Sequence, residues 1–418
     1  MFTLLAVSVL ALAQQPGSEW TDLPTGLWHA WFDSPGGRLE CDMNLRREKG
    51  ATIFEFVNDA EYVAVPKMTW DRARLALALD FPHYDSHISS VASADGLHLD
   101  GEWSKRSGAD SWTKLAFHAE FFVSGGGGCS MPGPGGPDHG PFDGRWSAKF
   151  ESSPDPAVAI FGVYGPDDSA KATFLTTLGD YRYLHGRYSK LDKSLTLSCF
   201  DGAHAFLFKA LPQPDGSIAG DFWSGDKWHE SWSAKKDEHA ALPDPFGLTK
   251  AVEGAHIASL EFPDLTGKPR SLAEWSGHPR LVVLFGSWCP NCNDEAAFLR
   301  ELDVHYAKFG LQVIGIAFEV SGDFARDAQQ VKLFGERHKL RFPLLIGGMS
   351  DKESASKRVP LLDKIRAYPT TLFVRADGSI RAVHQGYSGP ATGAEHTKLR
   401  EDFERLIDEL LAESDKKK

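Results

Sequence analysis

The residues best suited to chemistry in this chain are two cysteines three apart, Cys289 and Cys292, in the string Phe285-Gly286-Ser287-Trp288-Cys289-Pro290-Asn291-Cys292. The apolar run Leu281 to Phe285 precedes them, and Phe298, Leu299, Leu302 and Tyr306 follow at helical spacing. The pair therefore stands where a strand ends and a helix begins. Free backbone N–H groups and the positive end of the helix dipole stabilise a thiolate at such a junction. Lowering a thiol pKa from about 8.5 to about 7 corresponds to roughly 2 kcal/mol and brings the thiolate fraction at neutral pH to about half. Cys289 is the expected nucleophile. Cys292, one turn on, can attack a mixed disulfide at Cys289, release the partner and leave a Cys289–Cys292 disulfide. Two other readings stand beside this one. Zinc would need two more ligands, yet Cys41, Cys129 and Cys199 are isolated and no second CxxC occurs. A structural bridge across so short a loop would remove little unfolded-state entropy. Redox exchange is the best fit, and it calls for no metal and no cofactor.

The elements that must position this pair follow from the apolar pattern. Leu281 to Phe285 and Val313 to Ile316 are continuous apolar runs, expected as strands buried on both faces. Helices are expected over Asn293–Phe309, Phe324–His338 and Thr397–Leu411, and a hairpin from Thr371–Val374 to Ile380–His384 around Asp377-Gly378. Thr392 with Glu395 is expected to form a capping box for the last helix. Residues 255–418 thus form an α/β domain with a mixed sheet. Upstream the rhythm has period two, with Leu75, Leu77 and Leu79 matched about 120 residues later by Leu195, Leu197 and Cys199. Trp28 with Trp146, Trp103 with Trp223 and Trp112 with Trp232 keep nearly the same offset. Two antiparallel β-rich repeats are expected, 23–123 and 142–236, each a barrel or sandwich with the tryptophans filling its inner face. Gly- and Pro-rich segments 124–141 and 237–254 read as linkers.

Composition bounds the rest. The chain has 418 residues, 42% hydrophobic and 24% charged, which excludes a disordered tail. Its net charge of −12 repels phosphate backbones, so nucleic acid is not an expected partner. Met1 to Ala13 is an apolar run ending in Ala11-Leu12-Ala13, a pattern that reads as a cleaved export signal although no Lys or Arg precedes it. Export makes a Cys41–Cys129 bridge an option, while Cys199, aligned with an apolar strand position, is expected buried and inert.

Three segments together, Phe262-Pro263-Asp264-Leu265, the Trp-Cys-Pro-Asn-Cys motif and Tyr368-Pro369-Thr370-Thr371, resemble the thioredoxin superfamily and within it the TlpA/ResA-like thiol-disulfide oxidoreductases. The resemblance covers about two fifths of the chain and implies a thioredoxin fold from about residue 255. It implies a cis bond at Pro369, packed opposite the cysteines, with Trp288, Tyr368 and Thr370 beside an incoming chain; by itself Pro369 is equally a strand-initiating proline. Thioredoxin carries a buried acid six residues before its first cysteine, where Val283 stands here. The TlpA/ResA-like proteins instead carry a Glu three residues after the second cysteine, and Glu295 occupies that place, on one helix face with Cys292. Glu295 is the expected proton acceptor for Cys292; a solvated first-turn Glu complementing the helix dipole is the alternative. The implied activity is reduction of protein disulfides, or transfer to dithiols, with a membrane thiol carrier supplying electrons. Two rivals remain: a peroxiredoxin-type thiol peroxidase, which needs a Thr at the Gly286 position, and a β-repeat binding protein with an accessory redox domain.

Overall fold

The computed structural model describes residues 23–108, 110–122, 141–164 and 168–415. The expected export segment, nearly all of 124–141 including Cys129, and Lys416 to Lys418 lie outside the described residues.

Alternation builds the N-terminal half. In Gly37–Glu48 the buried residues are Leu39, Cys41, Met43 and Leu45, every second position, so one face of the strand makes core and the other meets solvent. Nine such strands from Gly26–Ser34 to Trp112–Phe121 form an antiparallel sheet in which the first strand pairs with the last. Its two edges, Glu61–Ala64 and Lys67–Asp71, are neighbours in sequence but not paired, so the sheet is a half-barrel. The second sheet, from Gly144–Phe150 to Trp228–Lys236, closes: Ala157–Tyr164 pairs with both Gly144–Phe150 and Ser169–Thr176. The N-terminal half is therefore a half-barrel followed by a barrel, with no sandwich among the described residues.

Four tryptophans fill inner faces as expected. Trp28 Nε1 donates to the carbonyl of Pro24 at 3.2 Å and Trp146 Nε1 to that of Phe142 at 2.7 Å, the same contact four residues back in each sheet. Trp103 and Trp232 are buried too. Trp112 and Trp223 depart from the expectation. The Arg106 guanidinium lies 4.6 Å over the half-buried Trp112 ring, and Trp223 lies between the two sheets against Gly36. The sheets share a core, because Phe200 of the barrel inserts among Phe32, Phe56, Phe81 and Trp103 of the half-barrel, with ring centroids 4.4 to 6.0 Å away. Fully buried Asn58 satisfies the Phe200 backbone there, accepting from its N–H at 3.1 Å and donating to its carbonyl at 3.0 Å.

The C-terminal domain, whose elements are numbered from Arg280, runs β1 Arg280–Phe285, α1 Pro290–Tyr306, β2 Gln312–Glu319, α2 Phe324–His338, β3 Leu344–Met349, α3 Lys352–Arg358, β4 Thr370–Val374, β5 Ile380–Gln385 and α4 Ala394–Asp415. The sheet order is β3-β2-β1-β4-β5, with β1, β2 and β3 parallel and β4 and β5 antiparallel. Every residue of β1 is buried, as its unbroken apolar run requires. Phe334 of α2 packs on Phe285 at 4.8 Å, and Phe403 of α4 on Phe298 of α1 at 5.6 Å. The expected capping box is not formed. The Thr392 hydroxyl donates back to the Gly389 carbonyl at 2.7 Å within a 3-10 turn, and Glu395 instead pairs with Arg145 of the barrel at 2.9 Å. The stretch 237–254 is a packed strap rather than a loose linker: Ala240 and Leu242 pack with Val158 and Leu175, and the Thr249 hydroxyl donates to Gln385 at 2.6 Å.

Candidate functional site

The site grows from the β1–α1 junction. Cys289 is the N-cap of α1, with extended φ −94° and ψ 118°, and Pro290 takes the first helical position, where the absent N–H leaves nothing unpaired. Cys289 is 8% exposed and Cys292 is buried beneath it; both are thiols. The Cys289 thiol reaches the Tyr368 carbonyl at 3.5 Å, and the Tyr368–Pro369 bond is cis. Trp288 closes one side, its Nε1 donating to the Phe318 carbonyl at 2.9 Å and its ring standing edge-on to Tyr368 at 6.0 Å. Gly286 is required here, since a Cβ would come 2.4 Å from Trp288 Nε1.

Electrostatics separates the two thiols. The Cys292 side chain, then its main-chain N–H and the Lys352 ammonium, hold the Cys289 thiol below its usual range against the opposing cost of burial. Burial, reinforced by Cys289, pushes Cys292 well up. Lys352 lies 4.0 Å over the Tyr368 ring. Burial lowers the pKa of Lys105, on the half-barrel strand His98–Arg106, against the opposing charges of Asp201 and Cys289.

Glu295 is one turn below Cys292 and 1% exposed. Burial pushes its pKa up to about 8, opposed by the Thr371 hydroxyl, which donates to Oε1 at 2.9 Å. Its other oxygen, Oε2, is buried without a hydrogen-bond partner among the described residues. A cavity of about 10 Å³ adjoins Glu295, Cys292 and Val283, room for about one water. Val283 faces Thr371 in register, so the helix carboxylate reaches the layer that a strand acid at Val283 would occupy.

Cys289, Cys292, Trp288, Tyr368 and Pro369 thus meet at one place, with Glu295 a layer below. Thr370 is turned away: it is fully buried and its hydroxyl donates to the Ala367 carbonyl at 2.8 Å. Three groups went unforeseen. Glu319, at the end of β2, accepts from the Ser287 N–H at 2.8 Å and hydroxyl at 2.7 Å, and burial raises its pKa to about 8. A lone carboxylate closing an apolar parallel strand was the available signal. Thr371 stood one residue past Thr370 in the same motif. Arg182 of the barrel had no local signal. Its guanidinium pairs with Asp294 of α1 at 2.6 Å, with Glu61 of the half-barrel and with Asp201 at 3.6 Å, and reaches the Pro290 carbonyl at 3.4 Å. Burial raises the Asp294 pKa to about 7 against the pull of Arg182.

Residues 254–383 match the model of the AhpC/TSA family. The chain is 24% identical over 162 residues to the thiol-disulfide oxidoreductase ResA of Geobacillus kaustophilus, covering 39% of this chain and 80% of that protein. It is 29% identical over 114 residues to the chloroplastic peroxiredoxin Q of Sedum lineare, covering 27% and 58%. Among solved structures, a thiol:disulfide interchange protein of the thioredoxin family from Chlorobium tepidum is similar at 21% identity and TM-score 0.29, over 39% of this chain and 99% of that one. The C-terminal domain has a thioredoxin fold, with the sheet order β3-β2-β1-β4-β5 and the cysteine pair at the β1–α1 junction. Within that fold, the domain resembles the ResA-like thiol-disulfide oxidoreductases, as its three motifs imply.

Proposed function

We propose that the chain is an exported thiol-disulfide oxidoreductase that reduces protein disulfides through Cys289 and Cys292, with two duplicated β modules attached. The observation that carries this reading is the split pair: a thiol lowered at the helix N-cap, against the Tyr368 carbonyl, above a second thiol raised by burial. Cys289 thiolate attacks one sulfur of the substrate disulfide; that bond breaks, a Cys289 mixed disulfide forms, and the departing thiolate takes a proton. Cys292 then gives its proton to Glu295, directly or through one water, and attacks Cys289. The second substrate thiol leaves and the Cys289–Cys292 disulfide remains, two electrons having passed to the substrate. A thiol donor, on resemblance a membrane carrier, restores the dithiol. Replacing Cys292→Ala stops the cycle at the mixed disulfide, so a covalent adduct that dithiothreitol releases is expected in the exported fraction. An empty trap would remove protein disulfides as the substrate.

The AhpC/TSA and peroxiredoxin Q matches favour a second reading, a thiol peroxidase. The Thr that such a site needs three residues before its cysteine has no room at Gly286, beside the Trp288 ring. Peroxide consumption by the purified chain with dithiothreitol separates the two readings.

A further inference from the structure

A cavity of about 450 Å³ lies at the mouth of the barrel, and Pro290 and Asn291, the two residues between the cysteines, form part of its wall. Its volume falls in the range of ligand pockets. Tyr181, Phe206 and Phe222 line it from the barrel, with Trp228 and Leu178 at the rim, 49% and 52% exposed. The charged groups on the wall are already engaged. Asp155 accepts from the Thr177 hydroxyl at 2.9 Å, Glu230 from Ser152 and from Trp228 Nε1, and Asp180 from the N–H groups of Gly389 and Arg182. His204 is held by Asp201, and Arg182 by Asp294 and Glu61. An ionic ligand would have to displace one of these pairs, whereas an aromatic ring needs only the ring-lined space. Two atoms of the wall residues, Asn291 Oδ1 and Arg182 Nε, are buried without a hydrogen-bond partner among the described residues, and neither is open to the cavity.

We infer that this cavity is a recognition pocket for an aromatic or large aliphatic side chain next to the disulfide of a substrate polypeptide. The inference rests on the oxidoreductase reading for its substrate and adds a specificity that the cysteines alone do not supply.

The test uses two short peptides, each closed by an internal disulfide and differing only in Phe or Ser beside one cysteine. The full chain is expected to favour the Phe peptide in kcat/KM by about tenfold or more, the discrimination usual for an apolar pocket. In Trp228→Ala and in Leu178→Asp, both at the solvent-facing rim, that ratio should fall toward one. Equal rates for the two peptides in the unaltered chain would overturn the pocket while leaving the oxidoreductase intact. A chain that reduces neither these peptides nor 2-hydroxyethyl disulfide fails as an oxidoreductase. The pocket is then decided by calorimetry with the Phe peptide carrying Ser at both cysteines: saturable binding lost in Trp228→Ala upholds it, and no binding sinks it.

Discussion

In the proposed cycle, Glu295 ties the chemistry to pH. Its carboxyl holds a proton up to about pH 8 in the fold, whereas the ordinary value is 4.5. Only the ionised form can take the Cys292 proton, so disulfide reduction should rise with pH through about 8, and Glu295→Gln should lack that limb in a pH–rate profile. Thr371→Val removes a hydrogen bond to the ionised form and should move the limb upward. Stability runs the other way. Between pH 4.5 and 8 the folded chain binds a proton that the unfolded chain has released, so stability falls as pH rises across that window. Glu295→Gln should therefore gain on the parent by on the order of 3 kcal/mol at pH 8 and by little at pH 5, read as melting temperature against pH. The position of Glu295 was legible because three residues along a helix keep one face. The Thr371 contact was not, because it depends on which residue of the strand faces Val283, and a register is set by pairing rather than by either strand alone.

Elements were legible where local rules agree. Phe324–His338 forms as expected, since Asp323 accepts from the Arg326 N–H at 3.0 Å as N-cap and the buried positions Ala328, Val331 and Phe334 follow helical spacing. Helix α1 begins at Pro290, earlier than expected, because proline suits the first turn. Strand β3 was missed: Gly347 and Gly348 interrupt its apolar run, and Gly347 is there because a Cβ would meet the Phe318 ring at 2.6 Å. The β1–α1 loop makes the sharpest prediction at this scale. Gly286→Thr supplies the residue a thiol peroxidase needs but drives a Cβ into Trp288. It should cost about 1–3 kcal/mol in denaturant unfolding and confer no peroxide consumption.

Across the whole molecule, the half-barrel, the barrel and the redox domain converge on Arg182, whose partners lie in three different parts of the chain. Such a convergence is invisible to periodicity, and so is the insertion of Phe200 into the neighbouring core, although the local turn that follows it, with Asp201 accepting from Ala203 and His204, is ordinary sequence chemistry. Arg182→Met takes from Glu61, Asp201 and Asp294 the one guanidinium that pairs with all three. It should lower stability by about 3–5 kcal/mol and open the strap at 237–254 to limited proteolysis. Gly179 sets the fit between barrel and redox turn: a Cβ there would come 2.0 Å from Asn291 Nδ2. The missing side chain acts as a feeler gauge, so one methyl group on a strand more than a hundred residues upstream would press directly on the side chain that stands between the two cysteines.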